Sequence, residues 1–288
     1  MKPSPRTLFC LVVLAVLVLA AVWFAVAWWP AAPPPPGSVA AEARKTTQSV
    51  RSPFLDNWDQ TPLRKMTQQA NDHPGVVWLE GLTHRRQIAL TFDDGPSPWT
   101  PDLLDVLKKH QVKATFFWLG GQMAGREDIV RRALAEGHTL ANHSWSHPNL
   151  AGTDESYFWN EEIGRTQSEF RRIIGKAPTL MRPPYGNIDD AQIGIVDKHG
   201  MKVVLWSIDA IDWYRNRMLF GAHEIERGVQ PYVHEEAIVL MHDGGGKRGD
   251  TVAAVDRLIP WLKSGGYSFA TVDALLGVPP YFPEPQAH

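Results

Sequence analysis

The chain has 288 residues, 44% of them hydrophobic and 21% charged, with a formal net charge of -2. That is enough apolar material for a full core and too little positive charge for holding a phosphate backbone, so a nucleic-acid partner is excluded. No arginine and lysine stripe with interleaved aromatics runs anywhere along it.

Lys2 and Arg6 precede a charge-free run over residues 8–29. At about 22 residues it is long enough to span a bilayer, and longer than the roughly 7 to 15 of a signal-peptide core. The expectation is a cytoplasmic tip and uncleaved transmembrane signal-anchor over residues 1–29, with Trp23, Trp28 and Trp29 at the outer interface. This makes the membrane a partner and puts a single-pass protein in the cell membrane, its main domain extracellular or periplasmic. A small-residue site at Ser38-Val39-Ala40 keeps secretion after cleavage as the alternative. Cys10, the only cysteine, lies in the apolar run, so the rest of the chain forms no disulfide. Pro30 and the proline run 33–36 begin a stiff segment, and residues 30–75 read as a proline-rich linker and stalk with Phe54, Leu55 and Trp58 as its only docking candidates.

From residue 76 short apolar runs alternate with longer amphipathic ones. Strands are expected at 88–92, 114–118, 139–141, 179–181, 202–206, 237–241 and 267–270, and helices at 101–110, 126–136, 155–174, 189–199 and 250–263. Thr100 is the expected N-cap of the first helix and Gly137 the stop of the second. Residues 76–288 thus form one α/β domain, expected to be monomeric, with a parallel sheet covered on both faces. Polar residues collect at the C-terminal ends of several non-consecutive strands, which favours a distorted barrel over an open doubly wound sheet. No G-x-G-x-x-G follows the first strand, and Gly244-Gly245-Gly246 lacks the Lys-Ser or Lys-Thr of a phosphate loop.

The chemistry gathers at those strand ends. Asp93 and Asp94 follow the most strand-like run, so one carboxylate can bind a metal while its neighbour addresses a water; a plain Asx turn is the bland alternative. His143 and His147 are four apart, and both rings can face one ion if their loop makes a helical turn. Oxygen and imidazole donors together suit a hydrolytic divalent ion such as zinc. Arg182 can hold a carboxylate, and in the rigid Pro183-Pro184-Tyr185-Gly186 corner the Tyr185 amide is a candidate oxyanion donor. His242 ends a strand before three glycines, with Asp209 and Asp212 near enough in order to orient it; a structural histidine is the other reading.

The ordered strings Thr91-Phe92-Asp93-Asp94-Gly95-Pro96, His143-Ser144-Trp145-Ser146-His147, Arg182-Pro183-Pro184-Tyr185-Gly186, Asp209-Ala210-Ile211-Asp212-Trp213 and Leu240-Met241-His242 resemble the five motifs of the polysaccharide deacetylases, the NodB-homology or carbohydrate esterase family 4 domain, over residues 87–276. The resemblance implies a distorted (β/α)7 barrel and one divalent ion, usually Zn2+ with Co2+, Mn2+ or Ni2+ as substitutes, held by Asp94, His143 and His147. It implies Asp93 as general base fixed by Arg182, and His242 as general acid fixed by Asp212. Trp206 and Leu240 would line the slot for the acetyl methyl, with Tyr185 contacting substrate, while Asp209 receives no role. The expected reaction is removal of N-acetyl groups from an N-acetylated glycan polymer, peptidoglycan first. Chitin oligomers or exopolysaccharide, an O-acetyl esterase of xylan or peptidoglycan, and a non-catalytic glycan-binding protein are the alternatives.

Overall fold

A computed structural model of the chain describes residues 45, 47–51, 62–214 and 221–283. Nine strands are present among them: β1 Val77–Trp78, β2 Gln87–Asp93, β3 Thr115–Trp118, β4 Thr139–Asn142, β5 Leu180–Met181, β6 Lys202–Val204, β7 Ile208–Asp209, β8 Ala237–His242 and β9 Ser268–Phe269. The helices are α1 Leu63–Asp72, α2 Thr100–Lys109, α3 Gly120–Met123, α4 Glu127–Ala135, α5 Gly164–Ile174, α6 Asp190–Lys198, α7 Ala222–Val229, α8 Gly249–Ser264 and α9 Val272–Leu276. The sheet order is β1-β6-β5-β4-β3-β2-β8-β7, with β9 added to β2 and every pairing parallel.

The sheet curls because its two flanks share one run of chain. Val203 pairs with Val77 and Met181, and a few residues on Ile208 pairs with Val239. Between and after them the Ser207 and Ala210 amides each donate at 3.1 Å to the Ile238 and Leu240 carbonyls. Strands β2, β3, β4 and β8 are buried on both faces, and their side chains divide by the two-residue period between two cores. Ile88, Leu90, Phe92, Phe116, Leu140, Val239 and Met241 meet the surrounding helices. Ala89, Phe117, Ala141, Ile238 and Leu240 fill the inside of the curl. Asp93 shares a parity with Ala89, and His242 with Leu240. Since Asp93 and His242 are also direct partners across β2 and β8, the pleat sends both inward at the strand ends.

The expected architecture needs several corrections. The expected transmembrane helix is not upheld, because no helix among the described residues is long and apolar enough to cross a membrane; residues 8–29, with Cys10, lie outside the described residues. The longest described helix, α8, has 16 residues, about 24 Å at 1.5 Å per residue against a hydrocarbon core of about 30 Å, and carries Asp250, Asp256, Arg257 and Lys263. Nothing among the described residues supports the single-pass anchor, the membrane as partner or the membrane location. The seven expected strands also do not include β1 and β7.

Part of the expected stalk is folded onto the sheet. Met66 and Ala70 of α1 join the inner core, Gln69 Nε2 donates to the Ile188 carbonyl at 2.8 Å, and Gln48 Oε1 accepts from the Leu79 amide at 2.8 Å. The compact unit containing these contacts begins at Ala43. Phe54, Leu55 and Trp58 lie outside the described residues. The helix expected over 155–174 is present, but its Tyr157–Ile163 part is π-helical and runs into α5. Gly164 at the junction is required, since a Cβ there would stand 2.8 Å from the Trp159 carbonyl. Thr100 does not cap α2: the N-cap is Trp99, and the Thr100 hydroxyl binds Asp243 at 2.5 Å.

Candidate active site and metal centre

A pocket of about 190 Å³ opens at the C-terminal strand ends. It brings together Asp93, Asp94, His143, His147, Tyr185, Trp206, Leu240 and His242. Arg182 and Asp212, 0% and 3% exposed, stand behind the first and last of these.

Asp94, His143 and His147 each offer one ligand atom, all within 4.8 Å of one another. Asp94 Oδ1 is 3.5 Å from His143 Nε2 and 3.3 Å from His147 Nε2, yet it is buried without a hydrogen-bond partner. A buried carboxylate oxygen left in that state is costly unless a cation meets it. One carboxylate oxygen and two imidazole nitrogens converging on one point fit a single divalent ion. His143 is already aimed for it: Nδ1 lies 2.8 Å from the Arg182 carbonyl, which can only accept, so the proton sits there and Nε2 keeps its lone pair. Burial, followed by the neighbouring His143, pushes His147 down to about 4, leaving it neutral and able to ligate. Burial works against charge on Asp94, but the His143 side chain, followed by His242 and His147 beside it, outweighs this and holds the carboxyl below its ordinary range.

The two histidines do not converge through a helical turn, as their spacing suggested. Ser144 and His147 both take positive φ, 71° and 63°, a conformation non-glycine residues adopt only when their surroundings impose it. Asp94 is also left-handed, with φ 72°. Backbone from the glycine run packs directly on it: a Cβ on Gly244 would stand 2.0 Å from the Asp94 carbonyl oxygen, and one on Gly245 2.4 Å from Asp94 Oδ2.

Asp93 gives one oxygen to Arg182 Nη1 at 2.7 Å and turns the other toward His143 Nε2, 3.7 Å away. The guanidinium also donates to Thr91 Oγ1 and to the Val204 and Leu205 carbonyls, and lies 4.0 Å over the Phe117 ring. Such a buried charge is tolerable because every direction it faces is filled. Across the pocket, His242 Nδ1 is 2.7 Å from Asp212 Oδ1, and Asp212 Oδ2 takes the His242 amide and the Thr251 hydroxyl. Burial opposes charge on His242, but the Asp212 carboxylate prevails and, with Asp94 adding to it, raises the imidazole to about 9.

Tyr185 has φ 60° and is 39% exposed, its ring edge-on to His147 at 4.6 Å. Asp209 stays at the back, accepting from the Ile211 amide at 2.7 Å and the Trp213 indole at 3.3 Å, and burial pushes it up to about 6. The pocket also includes Arg248, whose Nη1 donates to the Asp212 carbonyl at 3.0 Å. Its position five residues beyond a glycine-flanked Asp243 gave no periodic signal. Asp243 itself supports the floor, accepting from Thr100 and from Trp118 Nε1 at 3.1 Å. A second acid directly after His242 was the available hint.

A model of the family described as polysaccharide deacetylase matches residues 80–204. A peptidoglycan-N-acetylglucosamine deacetylase of Bacillus cereus is 39% identical over 199 residues, 68% of this chain and 70% of that protein. A peptidoglycan-N-acetylglucosamine deacetylase of Listeria monocytogenes is 42% identical over 194 residues, and there the aligned part of this chain covers 39% of the relative's length. Among solved structures, the Bc1960 peptidoglycan N-acetylglucosamine deacetylase superposes with a TM-score of 0.68 at 37% identity, covering 71% of this chain and 94% of that one.

Proposed function

We propose that this chain, which belongs to the polysaccharide deacetylase family, removes acetyl groups from N-acetylglucosamine units of a polysaccharide, peptidoglycan first among them. The observation that carries this reading is the Asp94, His143 and His147 cluster with its unpartnered buried oxygen. The names of the B. cereus and L. monocytogenes relatives supply the polymer.

In this reading Asp94, His143 and His147 hold one divalent ion, zinc by donor chemistry. When bound there, the ion supplies Lewis-acid polarisation of the amide carbonyl and a more acidic water. Asp93 takes the water proton on the oxygen that Arg182 leaves open, and the Arg182 contact keeps that oxygen aimed inward. The Tyr185 amide donates to the oxygen that gains charge as the carbonyl carbon becomes tetrahedral. His242, protonated at neutral pH, gives its proton to the departing nitrogen, which would otherwise leave as an unstable amide anion. The C–N bond breaks, a C–O bond has formed, and acetate and a free amine remain. Trp206 and Leu240 border the pocket on the side that would take the acetyl methyl, and Tyr185 at its mouth would lie against the sugar.

Acetate release from purified peptidoglycan, chitin oligomers and O-acetylated xylan tests the reading directly. Release from peptidoglycan that stops with chelator and returns with zinc is the expected result. Release from chitin oligomers alone would move the substrate, release only from the O-acetylated polymer would make this an esterase, and glycan binding without acetate would remove catalysis.

A further inference from the structure

The loop from His143 to His147 has no regular secondary structure, yet each amide from Ser144 to His147 is hydrogen-bonded to a side chain. Ser144 N donates to Asn142 Oδ1 at 2.9 Å, and His147 N to Ser144 Oγ at 3.1 Å. The two amides between them, Trp145 N and Ser146 N, donate to one and the same atom, Glu162 Oε2, at 2.8 and 3.0 Å. The other oxygen, Glu162 Oε1, takes the Ser146 hydroxyl at 2.7 Å and the Tyr157 hydroxyl at 3.2 Å. Glu162 is 3% exposed.

A carboxylate has no donor of its own, so four converging donors satisfy it completely. Glu162 reaches the loop from the π-helical turn Tyr157–Ile163, a rare turn frequent at functional sites. Two residues of the loop are held at positive φ, and a backbone in that state keeps its shape only while its surroundings over-determine it. The opposite side of the loop is pinned as well, by Gly120 N and Gly121 N donating to the Ser144 and Trp145 carbonyls, both at 3.0 Å.

We propose that Glu162 is a positioning residue for the metal centre: it clamps the Trp145 and Ser146 amides, and so fixes the separation at which His143 and His147 present their nitrogens. Glu162 touches neither substrate nor ion. This rests on the metal-centre reading given above, and its effect is on affinity, since a loop released from the clamp must be ordered by the ion itself.

The test is a zinc titration of the full chain, followed by calorimetry, with melting of the metal-free protein recorded in parallel. Glu162→Ala is expected to bind zinc about 10- to 100-fold more weakly, the range for partners that orient ligands. Glu162→Gln is expected to recover most of that loss, because its oxygen can take both amides while the two hydroxyls rotate to accept from its NH2. Should Glu162→Ala not fold, the Ser146→Ala/Tyr157→Phe double variant reads the same clamp by stripping Oε1, with about threefold weakening or more expected. Unchanged affinity in Glu162→Ala or, where that does not fold, in the double variant overturns the proposal, as does a Glu162→Gln protein no better than Glu162→Ala. A wild-type chain that binds no zinc would remove the metal centre and the clamp together, whereas tight binding by wild type and Glu162→Ala alike removes the clamp alone.

Discussion

Buried charge collects at both ends of the curled sheet, and the two collections differ in completeness. At the start of β2 and β8, Glu80 and Glu236 are each 0% exposed. Glu80 takes Lys45 Nζ at 2.8 Å and the Ser49 amide at 3.1 Å, with His234 Nε2, itself without a hydrogen-bond partner, 3.3 Å away. Glu236 takes Arg85 Nε at 2.7 Å, the Thr83 amide at 2.6 Å and the Thr83 hydroxyl. At the other end Asp94 Oδ1 and the Trp206 indole nitrogen have no partner, and Asp94, His143 and His147 converge on one point in the pocket. Buried charge by itself therefore does not mark a site. Saturated carboxylates hold a fold together, and unsaturated ones await something from outside.

Substitutions at the two ends should separate these roles. His143→Ala should have the largest effect: zinc binding lost and turnover reduced beyond the roughly 10⁴-fold that ends the range for a proton-transfer group. Retained zinc with normal turnover would mean that the cluster is only a polar patch. His242→Ala should leave zinc in place and lower kcat about 10²- to 10⁴-fold, with a smaller loss on a substrate whose leaving group needs no proton. An equal loss on both substrates would remove the acid role. At the saturated end Glu80→Gln should spare zinc affinity and instead cost about 3 kcal/mol of stability, since Lys45, only 12% exposed, loses its ion partner. For a domain of this size that is a fall in Tm of about 6 to 12 °C. A change in zinc affinity with unchanged melting would reverse the assignment of the two ends.

The site was more legible than the frame that carries it. Asp93 and His242 could be placed from sequence because strands β2 and β8 are apolar on both faces and stop where the charge begins. Their residue types already limit the chemistry. What the sequence could not show is how the loop between His143 and His147 turns, because positive φ at Ser144 and His147 is imposed by Asn142, by Ser144 itself and by a glutamate 15 residues downstream of His147. No local pattern announces such a contact. Strands β1 and β7 escaped for a different reason: their pairing depends on the path of the chain from 202 to 209. Helix α1 escaped because only Met66, Gln69 and Ala70 of its ten residues are buried, so its polar surface reads as linker. The apolar N-terminal run shows the converse, where composition was read as a membrane span and no described helix bears that out.

The finest expected effect is one of pH, and it follows from the Asp212 side of the unsaturated end. Burial alone would push His242 below the ordinary 6.5; Asp212 overcomes this and raises it to about 9. The folded value thus exceeds the unfolded one. The imidazolium's contribution to stability is therefore fully present below pH 6.5 and is lost as pH rises through about 9. Catalysis needs the same proton, so kcat/KM should hold through neutral pH and fall across the same alkaline window. A cation beside Asp94 cancels part of that residue's attraction for the imidazolium, so the limb of the zinc-loaded enzyme should lie somewhat below that of His242 titrated by NMR in metal-free protein. Asp212→Asn removes the principal source of the raised value while an amide oxygen still accepts from Nδ1. The limb should then move down to the ordinary histidine range or lower, with zinc affinity unchanged. A limb that stays near 9 in Asp212→Asn would assign it to another group, and His242 would then be a structural neighbour of the site rather than its acid.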